Sequence, residues 1–212
     1  MRPTKSRNNP FGALIQAIVF ADITTAKEML AASPKLALER AVHGAARETA
    51  EDSFFEEILH YLYEGDSALH MAAAAYQAEI AIDLIAKGAD VRAKNRRGAE
   101  PLHYASDGMP GYRRWNPPAQ AATIAILVKA GADPNAIDKS GVAPLHRAVR
   151  TRCAAAVEAL IQGGADPCAR NKSGSSPLVL ASQNTGRGGS GSPVARAQQE
   201  EILRILRAQG AT

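Results

Sequence analysis

An eight-residue phrase recurs four times in this chain of 212 residues. It reads Gly65-Asp-Ser-Ala-Leu-His70-Met-Ala72, then Gly98-Ala-Glu-Pro-Leu-His103-Tyr-Ala105. It returns as Gly141-Val-Ala-Pro-Leu-His146-Arg-Ala148 and Gly174-Ser-Ser-Pro-Leu-Val179-Leu-Ala181. A second phrase follows each copy: Gly88-Ala-Asp90, Gly131-Ala-Asp133, Gly164-Ala-Asp166 and finally Gly210-Ala211. Self-similarity at this period means stacked supersecondary units, each too small to bury its own apolar face.

The residue chemistry says what one unit is. Pro101, Pro144 and Pro177 suit the first turn of a helix, where a missing N–H costs nothing. Ser176 suits the cap of the last of these. The glycine of each second phrase suits the left-handed residue that ends a helix. One turn before it stand apolar pairs, Leu84-Ile85, Leu127-Val128 and Leu160-Ile161. Each unit therefore reads as a short helix, a turn, a longer helix and a glycine-bounded hairpin.

These phrases resemble the ankyrin repeat, from about Glu64 to the C-terminus. Departures are Ala68 in place of the first proline, Val179 in place of the last histidine, and no Thr before any proline. The resemblance implies an all-α solenoid with units at 65–97, 98–140, 141–173 and 174–212. It also implies a non-catalytic protein-binding role through the hairpin tips and concave helix face. Arg207 stands where the other units have Ile85, Val128 or Ile161, as suits an exposed end cap.

The chain before the first phrase divides in three. Residues 1–10 read as a flexible basic tail with Arg2, Lys5 and Arg7. Residues 11–32 read as two capping helices resembling a degenerate first repeat. Gln16 interrupts the apolar run Phe11–Phe20, so capping explains that run better than a signal peptide does. Residues 33–64 form an acidic insertion. From Glu39 to Glu64, seven carboxylates face Arg40 and Arg47 alone. Its apolar clusters Phe54-Phe55 and Ile58-Leu59 predict that it folds back on the stack.

Composition narrows the function classes. Hydrophobic residues make up 46% and charged residues 22%, which suits a globular chain. No apolar stretch approaches the ~20 residues of a membrane span. The net charge of +4 is mostly the tail, so it gives no argument for nucleic acid. Two cysteines suit a reducing cytoplasm. The abundance of alanine and arginine leans bacterial, and a monomer is expected.

Two surfaces are candidates for binding. Insertions fall between the two helices of a unit at Ser106–Pro118 and Ser182–Pro193. With the turn at 150–153 they gather Tyr112, Arg113, Arg114, Trp115, Arg150, Arg152 and Arg187 on one edge. Arg and Trp are enriched at binding hot spots. That edge suits a protein partner, an anionic ligand such as a phosphate, or the chain's own acidic insertion; solvated turns would explain it equally. The second surface joins the hairpin tips, with Arg92, Arg96, Arg97, Lys139, Arg170 and Lys172, to the concave residues Tyr104 and Arg147. The bland reading of these too is solvated charge.

Other motifs fail on inspection. Gly186-Arg-Gly188-Gly-Ser-Gly191 matches a dinucleotide fingerprint but follows a helical segment, and Ser192 stands where a phosphate loop needs lysine. His70, His103 and His146 recur at one position per unit and suit backbone bonds better than a shared metal. His43 and His60, in the acidic insertion, suit solvation or packing better than metal binding. Cys153 and Cys168 are separated by a helix and cannot pair. Arg152 beside Cys153 is expected to lower that thiol's pKa, but no base accompanies it. No enzyme activity, cofactor or metal is expected.

Overall fold

The computed structural model describes residues 9–46, 50–183 and 192–211. Five helix pairs stack in chain order: α1 (Pro10–Val19) with α2 (Ile23–Ala32), α3 (Ala68–Ala74) with α4 (Ala78–Ala86), and α5 (Pro101–Ala105) with α6 (Pro117–Lys129). The last two are α7 (Pro144–Arg150) with α8 (Ala154–Gln162), and α9 (Pro177–Ser182) with α10 (Pro193–Ala208). The first members pack as one row and the second members as another, so the core runs between two rows of helices. Leu14, Ile18, Leu69, Leu102, Leu145, Ile80, Ile124 and Leu160 are buried along it. The fold is the all-α ankyrin solenoid that the repeated phrases imply. Pro10, within the stretch read as a tail, already opens α1, and Asn9 caps it by accepting from Gly12 N–H at 2.6 Å.

The histidines explain why the units repeat so faithfully. In His70, His103 and His146 the Nδ1 accepts the backbone N–H of its own helix cap at 3.1 Å (Ser67, Glu100, Ala143). With that nitrogen an acceptor, Nε2–H donates to a carbonyl of the next hairpin: Ala99 at 3.1 Å, Val142 at 3.0 Å and Ala169 at 3.0 Å. One side chain thus caps its helix and staples it to the following unit. Burial lowers all three pKa values, that of His103 to about 4. Successive hairpins also join directly, Arg96 N–H to Glu64 O at 2.9 Å and Lys139 N–H to Arg97 O at 3.0 Å.

The turn between the two helices of a pair repeats as well. Ala21, Tyr76 and Arg152 follow α1, α3 and α7 at the same place and share a left-handed backbone, with φ of 59°, 55° and 62°. The first pair is therefore built as a full unit. Between α5 and α6 the inserted loop replaces this turn.

The acidic insertion packs across the stack. Its base is antiparallel: Ala41 N–H donates to Asp66 O (2.7 Å), Gly65 N–H to Ala41 O (2.8 Å) and Ala45 N–H to Leu62 O (2.7 Å). Gly44 permits this approach, since a Cβ there would lie 2.5 Å from the Tyr63 carbonyl carbon. Above the base, β1 (Phe54–Phe55) pairs with β2 (His60–Tyr61) in a short hairpin. Leu36, Phe55 and Leu62 are buried in the common core.

Candidate functional site

An open cleft of about 1060 Å³ runs along the inner row of helices. One wall is the insertion hairpin, Glu57 to Tyr61. The opposite wall is the loop after α5, Met109 to Pro117. The turns at Phe20-Ala21 and Tyr76 close one end, and Arg147, Arg150 and Thr151 of the third unit lie at the other.

The inserted loop is held firmly at its base. Gln120 Nε2 donates to the carbonyls of Ala105 (2.9 Å) and Asp107 (3.1 Å), and its Oε1 accepts from Trp115 Nε1 at 3.1 Å. Tyr76 Oη donates to Asp107 O at 2.6 Å. Asn116 caps α6 through Ala119 N–H at 3.1 Å. Gly108 lies so close to Cys153 that a Cβ would fall 2.5 Å from its Sγ. Burial pushes the Cys153 thiol up to about 12. The expected lowering by Arg152 does not occur: desolvation of the thiolate outweighs the hydrogen bonds from Thr151, Gln120 and Trp115, and the Asp107 charge raises the pKa further. Cys153 and Cys168 are both free, the first buried and the second exposed.

A polar network ties the hairpin to the stack. The His60 ring lies on Tyr104, centroids 4.1 Å apart, and its Nε2 stands 3.5 Å from Asp107 Oδ2. Tyr104 Oη donates to Asp66 Oδ2 at 2.8 Å, and Asn95 Nδ2 donates to both Asp66 Oδ1 (2.8 Å) and Tyr104 Oη (2.9 Å). Tyr112 Oη reaches across the cleft to Glu56 O at 2.9 Å. Arg147 donates to Asp107 Oδ2 and Asp138 Oδ2, each at 2.9 Å. Burial alone would raise the Asp107 carboxyl; the Arg147 charge and the hydrogen bond to His60 overturn it and hold the pKa at about 2.

These contacts re-sort the residues singled out by sequence. Tyr104 is 1% exposed, because the insertion covers its part of the concave face. Arg147 faces that side, but its guanidinium is engaged by two carboxylates of its own chain. Arg152 is 3% exposed and donates to Gln183 O at 3.3 Å, so it lies under the edge and not on it. Tyr112, Arg113, Arg114, Trp115 and Arg150 all line the cleft, whereas Arg187 lies outside the described residues. Arg113 and Arg114 are exposed and make no ion pair with the insertion's carboxylates among the described residues.

The hairpin-tip cations divide similarly. Arg96 bonds Ala45 O, and Arg97 Nη1 donates to Tyr63 Oη at 2.9 Å while its guanidinium lies 5.0 Å over that ring. Arg92 stands 3.8 Å from Asp133, and Arg170 donates to Gly174 O at 2.8 Å. Lys139 and Lys172 are exposed. Sequence reasoning missed Phe20, 57% exposed, and Met109, 42% exposed, which give the cleft its apolar side. It also missed the role of Asp107 and Asp138. The one available signal was that Asp107 and Arg147 stand nearly one repeat apart.

No group of three or more His, Cys, Asp or Glu side chains among the described residues is placed to hold a metal ion. No described helix is long and apolar enough to cross a membrane.

A family model of three tandem ankyrin repeats matches residues 119–211, and a model of the single ankyrin repeat matches residues 64–96. The unmatched stretch between them, 97–118, holds the whole inserted loop. No curated protein matches the sequence. The two matches cover more than half of the chain and coincide with the stacked helix pairs, and with them the chain belongs to the ankyrin-repeat family.

Proposed function

We propose that this protein is a non-catalytic adaptor that holds a protein partner in the cleft between the insertion hairpin and the loop after α5. Ankyrin repeats are in general protein–protein interaction modules, which gives the class. The observation that carries the location is the exposed pair Arg113-Arg114, set beside Tyr112 and Trp115 on a loop already fixed by Gln120, Tyr76 and Asn116. A preorganised loop loses little entropy when a partner docks. The buried thiol of Cys153, with a pKa of about 12, is unsuited to nucleophilic work at neutral pH. On this reading the protein works as a monomer in the cytoplasm.

The test is a nuclease-treated capture from source lysate. It compares the wild type with Arg113→Glu/Arg114→Glu and with Lys139→Glu/Lys172→Glu, each checked for folding by circular dichroism. Loss of one protein partner with the first variant alone supports the cleft. Loss with the second alone moves the interface to the hairpin tips. The same arginine pair would serve an anion-binding module for a phosphorylated ligand or nucleic acid. Steep weakening with salt and loss of the captured material on nuclease treatment would favour that reading.

A further inference from the structure

We infer that the ligand of this cleft is an extended protein segment that alternates acidic and apolar side chains; this rests on the adaptor reading above. The charge balance sets the acidic half. Five arginines and three carboxylates line the cleft. Two of the carboxylates, Asp107 and Asp138, are already taken by Arg147. Glu57 is the third, on the hairpin wall. Arg113 and Arg114 sit on the facing wall with no ion-pair partner among the described residues. Exposed guanidinium groups carried on an anchored loop take up carboxylates by paired, charge-assisted hydrogen bonds.

The apolar half comes from other side chains that line the same cleft. Phe20 and Met109 are exposed there beside Ile58, Leu59 and the Tyr76 ring. A purely anionic ligand would leave these surfaces in water, and a purely apolar one would leave the arginines without partners. An extended segment presents successive side chains to opposite sides. Its acidic residues would meet the Arg113-Arg114 wall while the residues between them meet Ile58 and Leu59 of the facing hairpin, with Phe20 and Met109 extending the apolar lining.

The experiment uses the full chain and fluorescence anisotropy. The probe is a labelled Gly/Ser-rich peptide carrying Glu-Leu-Glu-Leu, compared with Gln-Leu-Gln-Leu and Glu-Gly-Glu-Gly counterparts and with oligothymidine. The Glu-Leu peptide is expected to bind about tenfold more tightly than either counterpart. Arg113→Gln/Arg114→Gln should lose about tenfold, and Phe20→Ser/Met109→Ser a similar factor, with folding of both unchanged because all four side chains are solvent-facing. Equal binding of the Gln-Leu peptide, equal binding of the Glu-Gly peptide, tighter binding of oligothymidine through the same arginines, or no binding of the Glu-Leu peptide would each overturn the inference. If the peptide fails while the lysate capture retains a protein partner, the adaptor reading stands and this ligand chemistry falls. If the capture also yields no protein partner, both fall.

Discussion

The units around α3 and α5 and those around α7 and α9 are spelled with the same phrase but end in different surroundings. In the first two, the inner face lies beneath the chain's own hairpin, and Asp66, Asn95 and Tyr104 form a buried polar cluster. In the later two, no such cover exists among the described residues, and the position of Asp66 is taken by Val142 and Ser175. A repeat fixes the helix pair; what covers it decides whether its concave residues become core or contact surface.

The sharpest way to break this contrast is Asp66→Ala, which gives the first unit the alanine that the second carries at Ala99. The Asp66 carboxylate accepts from Tyr104 Oη, Asn95 Nδ2 and Tyr63 N–H. Removing the acceptor of three donors, two of them buried, should cost about 3 kcal/mol in urea unfolding, whereas Val142→Ala, at a half-buried site, should cost about 1 kcal/mol. Equal losses would mean that the cluster under the hairpin adds nothing to the unit.

Acidity should act next most strongly, through the histidine staples of the first three units. Their folded pKa values are depressed, so the unfolded chain binds more protons between the ordinary histidine value and the lowered one. Their contribution is complete above about pH 6.5 and is lost as the pH falls toward the value of about 4 at His103. Denaturant midpoints should drop steadily across that window. His103→Gln should flatten the slope, while a change at Val179, which replaces the histidine in the fourth unit, should leave it unaltered.

Glu100 offers a gain. Its carboxylate is buried with no hydrogen-bond partner among the described residues, and Lys94 Nζ stands 3.7 Å away. Burial raises its pKa, ahead of the opposing charges of Lys94 and Arg92. The folded state therefore binds more protons, and ionisation destabilises it as the pH rises past the ordinary carboxyl value. Glu100→Thr should stabilise the protein by about 1 kcal/mol at pH 7, and the gain should shrink on acidification.

The smallest effect belongs to the shared left-handed turn. Ala21 is exposed at φ 59°, so Ala21→Gly should relieve strain and gain about 0.5 kcal/mol in thermal unfolding. The same change at Tyr76, φ 55°, should destabilise, because its hydroxyl pins Asp107 O.

The fold was legible because it is written several times over. Prolines at helix starts, glycines at helix ends and one histidine per unit each answer a local demand, and a stack needs only neighbours. The candidate site was legible only in part. Tyr112, Arg113, Arg114, Trp115 and Arg150 were readable as additions to a plain repeat, and they do share one cleft. Tyr104, Arg147 and Arg152 looked equally available, yet their partners are His60, Asp107, Asp138 and Gln183, at separations the phrase does not encode.

The sequence by itself determined the stacking of helix pairs and the place where the loop after α5 leaves the stack, because these follow from contacts within a unit or with the next one. Only the tertiary structure decided which cations face solvent and which are consumed. The insertion at 33–64 has no repeat to fix its position. Its docking onto Tyr104 and Tyr112 depends on aromatic packing and hydrogen bonds made across more than forty residues of chain.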